Sequence, residues 1–461
     1  MTDAKAILSS IPAEVTAGLW RAYRALIPEL HHRIPVSWGT APYQISSYLP
    51  LVFMAYLARR PNTYFTRLLL LPLVVLSSLV GAYHYVWVQP TLNVYNWGQC
   101  LFAAVAIAKA LEYALTPEGM LKIGELRPGI WKGKSGAKKF ITNGHHHPSN
   151  GYSNHHDGDD DLGGDLNDNN HNSIRKAIGS GLYDAFELLH TQRGPKWAFG
   201  RDIYIPKHTR PLVPTSLFLR VTFQSFLVNF LILDILEATL KLFPGVGSAL
   251  GGSMFYWELS PLPRYTVSTL IQGLSGSCLL FGFGTVYDFI VLVAVGFFGS
   301  PPESWPPVMY NPWHADSMHA FWSKHWHQVL RQTFLVLGGY PGKWLAGDIG
   351  MLFGTFLASG LFHEFAMLSM GRGSDHTVTA FFLLQGVILI LERFWRKATG
   401  YRVRGKWGQL WVYFVLFIWA QPLVNAWHRR GLGGGMVIPP FLSPARVVLF
   451  PLIRRLGSHL M

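Results

Sequence analysis

The sequence predicts an all-α polytopic membrane protein, a bundle of about eight transmembrane helices around an intramembrane chamber. Half of the 461 residues are hydrophobic and only 14% are charged, whereas about 25% of the residues in soluble domains are charged. Apolar runs also recur along the chain, and they are long enough to cross a hydrocarbon layer as helices of about 20 residues. This composition excludes an ordinary soluble enzyme.

The apolar runs divide the chain into successive spans, at 41–57, 68–88, 94–115, 212–238, 265–298, 344–370, 377–391 and 410–424. The fifth run is long and has four glycines between residues 273 and 284, so one tilted helix and two shorter pieces both fit it. The stretch 436–453 is apolar but contains four prolines. It fits an interfacial or re-entrant segment better than a ninth span.

The chain carries a formal net charge of +14, but its Lys and Arg residues lie mainly at the ends of the apolar runs and in the loops between them. This pattern is typical of topology signals, and we expect no nucleic-acid partner. Basic loops at 59–67, 132–139 and 393–404 fall on one side if there are eight spans, and that side should be cytoplasmic. Both termini are then lumenal, and we expect a multi-pass protein of the endoplasmic reticulum membrane.

The prediction of eight spans divides the chain into four regions. They are an amphipathic, lumenal N-terminal segment at 1–40, the first three spans at 41–115, a cytoplasmic loop at 116–211, and a core at 212–461. Within the loop, the tract 144–173 is rich in His, Asn, Asp and Gly, and we expect a disordered insertion there. Its histidines lack the spacing of a closed coordination shell, and we expect no metal site.

The cysteines and most intramembrane charges have structural interpretations. Cys100 and Cys278 lie inside apolar runs, which excludes a disulfide framework or a zinc site. We expect the remaining ionisable residues of the spans to pair between helices or to cap them. They are Lys109 with Glu112, Asp234 with Glu237, and the single residues Asp288 and Asp348.

The segment 301–334, PPESWPPVMYNPWHADSMHAFWSKHWHQVLRQTF, combines an extended proline-rich half with a predicted helix. We expect Ser317 to cap this helix at its N-terminus. Phe321, Lys324, His325 and Gln328 would then share one face, and His327 with Arg331 another. His314, His319 and His325 are explained as amphiphilic residues of a helix that lies in the membrane interface.

The sixth span holds the most unusual residues. Gly350 and Gly354 form a GxxxG pattern, which lets another backbone approach closely. The span continues to SGLFHEF, where His363 and Glu364 lie inside an apolar run. A neutral imidazole in a chamber of low dielectric constant is well placed to take a proton from an alcohol. Because adjacent residues do not share a helical face, Glu364 is expected to anchor another helix or a loop.

Two other functions use intramembrane histidines. A di-iron oxygenase needs several closely spaced histidine pairs with carboxylates, and this sequence has only His325 and His327, with His363 a span away. A transporter or scaffold would use the histidines as a proton or substrate path. Transporters commonly contain internal repeats, and neither histidine motif recurs in this sequence.

These motifs resemble the membrane-bound O-acyltransferase superfamily, and within it the wax-synthase-like branch of fungal type. The resemblance lies in the Pro-Trp-Pro lead-in, the Phe-Trp-x-x-x-Trp-His-Gln segment and the Ser-Gly-x-x-His-Glu span. A weaker match is ELLHTQRGPKWAFGRD, where relatives often have Arg-Gly-x-Gly-Trp and this chain has Lys196 in place of the second glycine. The resemblance covers roughly the C-terminal 280 residues and implies transfer from acyl-CoA to a hydroxyl group within the membrane.

The resemblance also implies roles for site residues. His363 matches the family's catalytic histidine and would act as general base, and His327 matches a second essential Asn or His and would donate a hydrogen bond to the thioester carbonyl. Further donor-binding or substrate-binding candidates are Trp322, Trp326, Arg331, Asn311 and Glu364. We expect acyl-CoA as co-substrate, no permanently bound cofactor, and membrane lipids and a hydrophobic alcohol as partners.

The branch includes long-chain wax synthases and enzymes that acetylate terpenoid or polyketide alcohols. The lead-in and the chain length favour acetyl transfer to a secondary metabolite, with wax synthesis as the alternative. Bulky side chains that close the donor tunnel would select a short acyl chain, and the candidates are Phe353, Phe356 and Phe362.

Overall fold

The structure, a computed structural model, describes residues 2–131 and 180–460. The predicted insertion at 144–173 and the basic loop 132–139 lie outside this description. The helices are α1 Thr2–Leu26, α2 Ala41–Ser46, α3 Leu49–Ala58, α4 Tyr64–Tyr83, α5 Asn93–Leu115, α6 Ser180–His190, α7 Thr215–Leu240, α8 Pro261–Gly296, α9 Met318–Ala320, α10 Arg331–Phe334, α11 Tyr340–Ser369, α12 Thr377–Thr399, α13 Gly405–Phe414, α14 Gln421–Arg429 and α15 Phe450–Leu460.

Strands are short. Ile34–Pro35 pairs in parallel with Tyr85–Val86, and Glu125–Arg127 pairs antiparallel with Ile130–Trp131. Within the described ranges, seven helical stretches are long and apolar enough to cross a membrane: α4, 90–115 including α5, α7, α8, 331–369 including α10 and α11, α12, and 405–429 including α13 and α14. The predicted all-α polytopic fold is confirmed, and the long fifth apolar run is one helix of 36 residues.

The first predicted span, 41–57, is not a continuous helix. It is divided into α2, of 6 residues, and α3, of 10 residues. The interruption coincides with Pro50, which lies in the first turn of α3 and has no backbone N–H to continue a preceding helix. The segment still connects opposite ends of the bundle, since Ile34 pairs with Tyr85 and Ala58 O accepts from Met120 N–H, 2.9 Å away.

The bundle has two distinct ends. We call the first the basic end. There Arg59 binds Glu125, and Arg193 donates to the carbonyl oxygens of Pro306 and Pro307. The N–H of Gly405 also donates to Asp316 at this end. The described parts of the predicted basic loops, 59–67 and 393–404, both lie here. At the opposite end, Arg33 donates to Ser369 O and Arg430 to Asp375.

Helices α10 and α11, with the π-helical stretch Leu335–Gly339 between them, form a helical hairpin rather than one long span. The helical path is broken at Ala346 (φ −144°) and Gly347 (φ 60°), and Phe334 packs on Phe362 with ring centroids 5.3 Å apart. One arm is 331–345 and the returning arm is 348–369. The tip is strongly exposed, and Trp344 is 86% accessible.

Glycines hold the two arms together. An added methyl group at Gly338 would lie 2.1 Å from Gly354 O, and one at Gly342 would lie 2.1 Å from Gly350 O. Such distances are far below van der Waals contact, so the backbones touch because these positions have no side chain. The predicted close approach at Gly350 and Gly354 is therefore present, and its partner is the preceding arm of the same hairpin.

The predicted helix through His327 and Arg331 is wrong. Ser317 caps as expected, since its Oγ accepts from Ala320 N–H at 3.1 Å, but α9 has three residues and a π-helical turn follows at Phe321–His325. Trp326 is extended (ψ 155°). The Gln328 amide donates to the carbonyl oxygens of Trp322 and Trp326, both at 2.9 Å, and so satisfies acceptors that the break leaves free.

The segment 318–345 is therefore re-entrant. It begins at the basic end, where the Glu392 carboxylate accepts from the backbone N–H groups of Met318 and His319. It turns at 326–330 and returns along the first arm of the hairpin. The sequence prediction of a helix lying flat in the interface missed this turn. The Gln328 hydrogen bonds that stabilise the turn leave no periodic pattern in the sequence.

Most other intramembrane charges bind groups on other elements, as predicted. Asp288 on α8 accepts from Arg210, Ser225 and Asn229 at 2.6 to 3.1 Å. Lys109 donates to Leu188 O at 3.2 Å. The remaining pairs are Glu112 with Gln332, Asp234 with Ala445 N–H, and Glu237 with the N–H groups of Val437 and Ile438. Asp348, by contrast, is exposed at the hairpin tip.

Substitution of Gly354 by Ala should destabilise the protein by about 2 kcal/mol, because the new methyl group must push the two hairpin arms apart. Thermal unfolding of the detergent-solubilised protein measures this effect. Gly276→Ala in α8 is the matched control, since no atom lies within 4 Å of the added methyl group. Equal melting temperatures for the two variants would contradict the hairpin packing.

Lys196 has a left-handed backbone (φ 68°), where a side chain costs about 1 to 2 kcal/mol and glycine costs little. Lys196→Gly should therefore raise the free energy of unfolding by about 0.5 to 1 kcal/mol, after allowance for the greater freedom of glycine in the unfolded chain. Lys196→Ala keeps the Cβ atom and should not stabilise. Equal gains from both substitutions in thermal unfolding would refute the backbone explanation.

Candidate active site

His363 lies on the returning arm of the hairpin inside a shell of aromatic rings. Its imidazole is stacked on Phe382 of α12 at 5.3 Å between centroids, with an angle of 10°. Trp427 of α14 lies at 5.9 Å and Trp97 of α5 at 6.1 Å. The Nδ1 atom of His363 is buried and has no hydrogen-bond partner in the described part of the chain. An imidazole that is buried without an ionic partner remains neutral.

Glu364 does not share this environment. Its carboxylate accepts from the backbone N–H of His376 at 3.2 Å and from the Thr379 hydroxyl at 3.3 Å. These contacts fix the start of α12 against the hairpin, as predicted for a residue on a different helical face. Glu364 therefore positions the helix that carries Phe382.

His327 lies directly after the break at Trp326. Its ring contacts Phe283 of α8 at 4.4 Å and Trp326 at 5.1 Å between centroids, and its Nδ1 is also buried without a partner among the described residues. The ring has no ionic partner among the described residues, which favours the uncharged imidazole. His327 is therefore neutral near pH 7 and can donate one hydrogen bond and accept another.

A series of ring contacts links the two histidines. Trp326 is stacked on Phe321 at 5.5 Å, and Phe321 meets the edge of Trp322 at 5.0 Å. Trp322 in turn lies 6.0 Å from Phe382, the ring that is stacked on His363. The re-entrant segment and the hairpin thus bring the two sequence motifs into one apolar cluster.

Of the other predicted site residues, some line the histidine cluster and some do not. Trp322 and Trp326 line the cluster, and the Trp322 indole donates to Gln385 Oε1 at 3.2 Å. Arg331 begins α10 and lies 3.4 Å from Gln328 Oε1, next to the turn that holds His327. Asn311 is exposed, with a left-handed backbone (φ 42°), and its carbonyl oxygen lies 2.9 Å from His325 Nδ1. Asn311 therefore shapes the lead-in and does not line the cluster.

Four aromatic residues of the site were not identified from the sequence: Trp97, Phe283, Phe382 and Trp427. They belong to α5, α8, α12 and α14, and no motif surrounds them. The indole Nε1 atoms of Trp97 and Trp427 are buried, and like Nδ1 of His363 they have no partner in the described ranges. An aromatic residue in a membrane helix is common, so only its position beside His363 makes it informative.

A cavity of about 150 Å³ opens beside α8. Arg210, Asn229 and Asp288 line it, together with Tyr287 and residues 307–309 of the proline-rich lead-in. Leu280 and Gly284, which also line it, flank Phe283, the residue that touches His327. The cavity thus lies between the basic end and the histidine cluster, and its walls carry both signs of charge.

One group of at least three His, Cys, Asp or Glu side chains in the described residues has ligand atoms close enough to hold a metal ion. It consists of Glu29, His31 and His32, which are all exposed. His327 and His363 are not part of it. Both histidines lie among aromatic rings, where a neutral imidazole can donate one hydrogen bond and accept another.

Part of the chain matches a known protein family. Residues 305–384 match the sequence model of the membrane bound O-acyl transferase family, and this stretch contains both histidines. Three relatives are acetyltransferase aurG of Calcarisporium arbuscula (29% identical over 170 residues), acetyltransferase eriL of Hericium erinaceus (27% over 259 residues), and the probable long-chain-alcohol O-fatty-acyltransferase 2 of Arabidopsis thaliana (35% over 96 residues).

The alignments cover 31%, 52% and 19% of this chain, and 39%, 64% and 28% of the respective relatives. The chain therefore spans less than two thirds of the length of each relative. The matched stretch contains the re-entrant segment, the hairpin and the start of α12, which together position His327 and His363. The part of the chain that positions both histidines is therefore similar to the membrane bound O-acyl transferase family.

Proposed function

We propose that this protein is an O-acyltransferase that transfers an acetyl group from acetyl-CoA to a hydroxyl group of a terpenoid or similar secondary metabolite within the membrane. The observation that carries the proposal is the pair of neutral histidines, His327 and His363. Each has a buried ring nitrogen without a partner in the described residues, and both belong to the stretch that matches the family.

The proposed roles of His363 and His327 in acyl transfer follow from the surroundings of each imidazole. His363 accepts the proton of the acceptor hydroxyl as its oxygen attacks the thioester carbonyl carbon. His327 donates a hydrogen bond to the carbonyl oxygen, on which negative charge develops, and one such bond lowers the barrier by about 3 kcal/mol in related chemistry. The C–S bond then breaks, the acyl group stays on the acceptor oxygen, and the CoA sulfur leaves and takes up a proton.

The donor is proposed to enter from the basic end. The excess of Lys and Arg there favours a cytoplasmic location, with the endoplasmic reticulum as the membrane. Arg210 lines a cavity together with Leu280 and Gly284, which flank Phe283, the residue that contacts His327. Arg331 suits a CoA phosphate because its guanidinium donates two parallel hydrogen bonds. The acceptor is a hydrophobic alcohol that reaches the cluster through the membrane.

Side chains beside the site favour a short acyl chain. Phe356 is 8% exposed and packs edge-on against Trp322 at 5.7 Å, and Phe362 is 4% exposed and packs on His363 at 5.2 Å. Two of the three relatives above are named acetyltransferases. The named activity of the plant relative supports the alternative, a wax synthase that uses long-chain acyl-CoA and a fatty alcohol.

His363→Ala should abolish acyl transfer, because the other imidazole of the cluster, His327, contacts Phe283 and Trp326 and does not take the place of His363 among its own rings. The assay measures release of free CoA and acylated product by microsomes that contain the protein. His314→Ala is the matched control, since His314 is exposed at the basic end, and this variant should keep full activity.

Equal expression and membrane insertion of both variants exclude a folding defect as the cause. Full transfer activity in His363→Ala would disprove the assignment of the base. Failure of the wild-type protein to release CoA from any acyl-CoA would instead favour a transporter or scaffold.

Acetyl-CoA should be a better donor than palmitoyl-CoA, because Phe356 and Phe362 occupy the space beside the cluster. Phe356→Ala removes one of these rings and should shift the preference toward the longer chain, while Leu361→Ala, on an exposed position of the same arm, should not. The measurement is kcat/KM for both donors in each variant. Efficient palmitoyl transfer by the wild-type protein would support wax synthesis instead.

A further inference from the structure

Two tryptophans beside His363 have indole N–H groups with no hydrogen-bond acceptor among the described residues. The indole Nε1 atoms of Trp97 and Trp427 are buried and have no partner in the ranges that the structure describes. A buried N–H group without a partner costs about 1 to 3 kcal/mol. Other indoles of the site do not have this property, since Trp322 donates to Gln385.

These indoles and the imidazole form one compact group. The ring centroids of Trp97 and Trp427 are 6.2 Å apart, and they lie 6.1 Å and 5.9 Å from that of His363. Trp97 is on the second turn of α5 and Trp427 on the last turn of α14, and both turns belong to the opposite end of the bundle. The rings that contact His327 are Phe283 and Trp326. The indole pair thus lies on the side of His363 away from the proposed donor entry.

The attacking hydroxyl can form hydrogen bonds with His363 and with only one of the two indoles. Its hydrogen is donated to His363, and one of its two lone pairs forms the bond to the thioester carbonyl carbon. One lone pair remains, and it can accept a hydrogen bond from one indole. The other indole needs a second acceptor atom, and in an acceptor molecule this atom must be an oxygen close to the hydroxyl.

We infer that Trp97, Trp427 and His363 form the acceptor subsite, and that it selects an alcohol with a second oxygen, a carbonyl or an ether, next to the reacting hydroxyl. This inference rests on the proposed function and refines its acceptor class. A simple fatty alcohol has a single oxygen and leaves one indole N–H unpaired. A site with unsatisfied buried donors discriminates strongly against such a molecule.

The test compares two acceptors of equal skeleton, α-hydroxycyclododecanone and cyclododecanol, with acetyl-CoA as donor. Kinetic constants are measured for wild type, Trp97→Phe, Trp427→Phe and the control Trp407→Phe, whose indole is 84% exposed. We expect the wild type and the control to prefer the hydroxy ketone. The variant that lacks the indole N–H facing the second oxygen should lose about 10- to 100-fold of this preference, mainly through KM for the hydroxy ketone. Loss of the N–H that faces the hydroxyl should slow transfer to both acceptors.

Expression, membrane insertion and thermal unfolding equal to those of the wild type show that a site variant remains folded. A wild type that uses cyclododecanol as well as the hydroxy ketone would overturn the inference and leave the acyltransferase function intact. Equal losses with both acceptors in Trp97→Phe and Trp427→Phe alike would also overturn it, because they indicate a packing role or oxyanion stabilisation. If the wild type transfers acetyl to neither acceptor and releases no CoA with any alcohol, the proposed function itself fails.

Discussion

The contact between the two glycine-lined arms of the hairpin is the constraint on which the site depends. Gly338 against Gly354 and Gly342 against Gly350 allow the arms to touch along their backbones, and the chain therefore turns back within one helix pair. That return places the re-entrant segment with His327 beside the helix with His363. In a membrane, where apolar surface gains little by leaving lipid, such close packing of small residues is a principal source of helix association.

The site itself is built from neutral polar groups in an aromatic shell. Charged partners are held elsewhere: Glu364 at the start of α12, Asp288 with Arg210, and Glu112 with Gln332. This separation matters because a neighbouring carboxylate would favour the protonated form of an imidazole, which cannot act as a base. Ring nitrogens of both histidines and of two tryptophans have no partner among the described residues.

The two ends of the bundle suit different substrates. The basic end gathers arginines, the proline-rich lead-in and a cavity lined in part by Arg210 and Asp288. In the proposed function this end receives a phosphorylated, water-soluble donor. Toward the other end the surroundings of His363 are indole and phenyl rings, which suit a hydrophobic alcohol. In the proposed function, transfer between a soluble donor and a membrane-dissolved acceptor requires the reacting group to lie between these two environments, and His363 and His327 are the proposed groups.

The sequence by itself determined the membrane class, most of the spans, the Ser317 cap, the close approach at Gly350 and Gly354 and the two histidine motifs, because hydropathy, capping and small-residue spacing are local properties. Only the tertiary structure decided the division of the first span, the break at Trp326, the hairpin and the ring contacts of His363. These depend on contacts between distant residues, such as Gln328 with the carbonyl of Trp322 or Trp97 with His363, 266 positions further along the chain. Side chains of that kind are ordinary in any membrane helix, and their role follows from position alone.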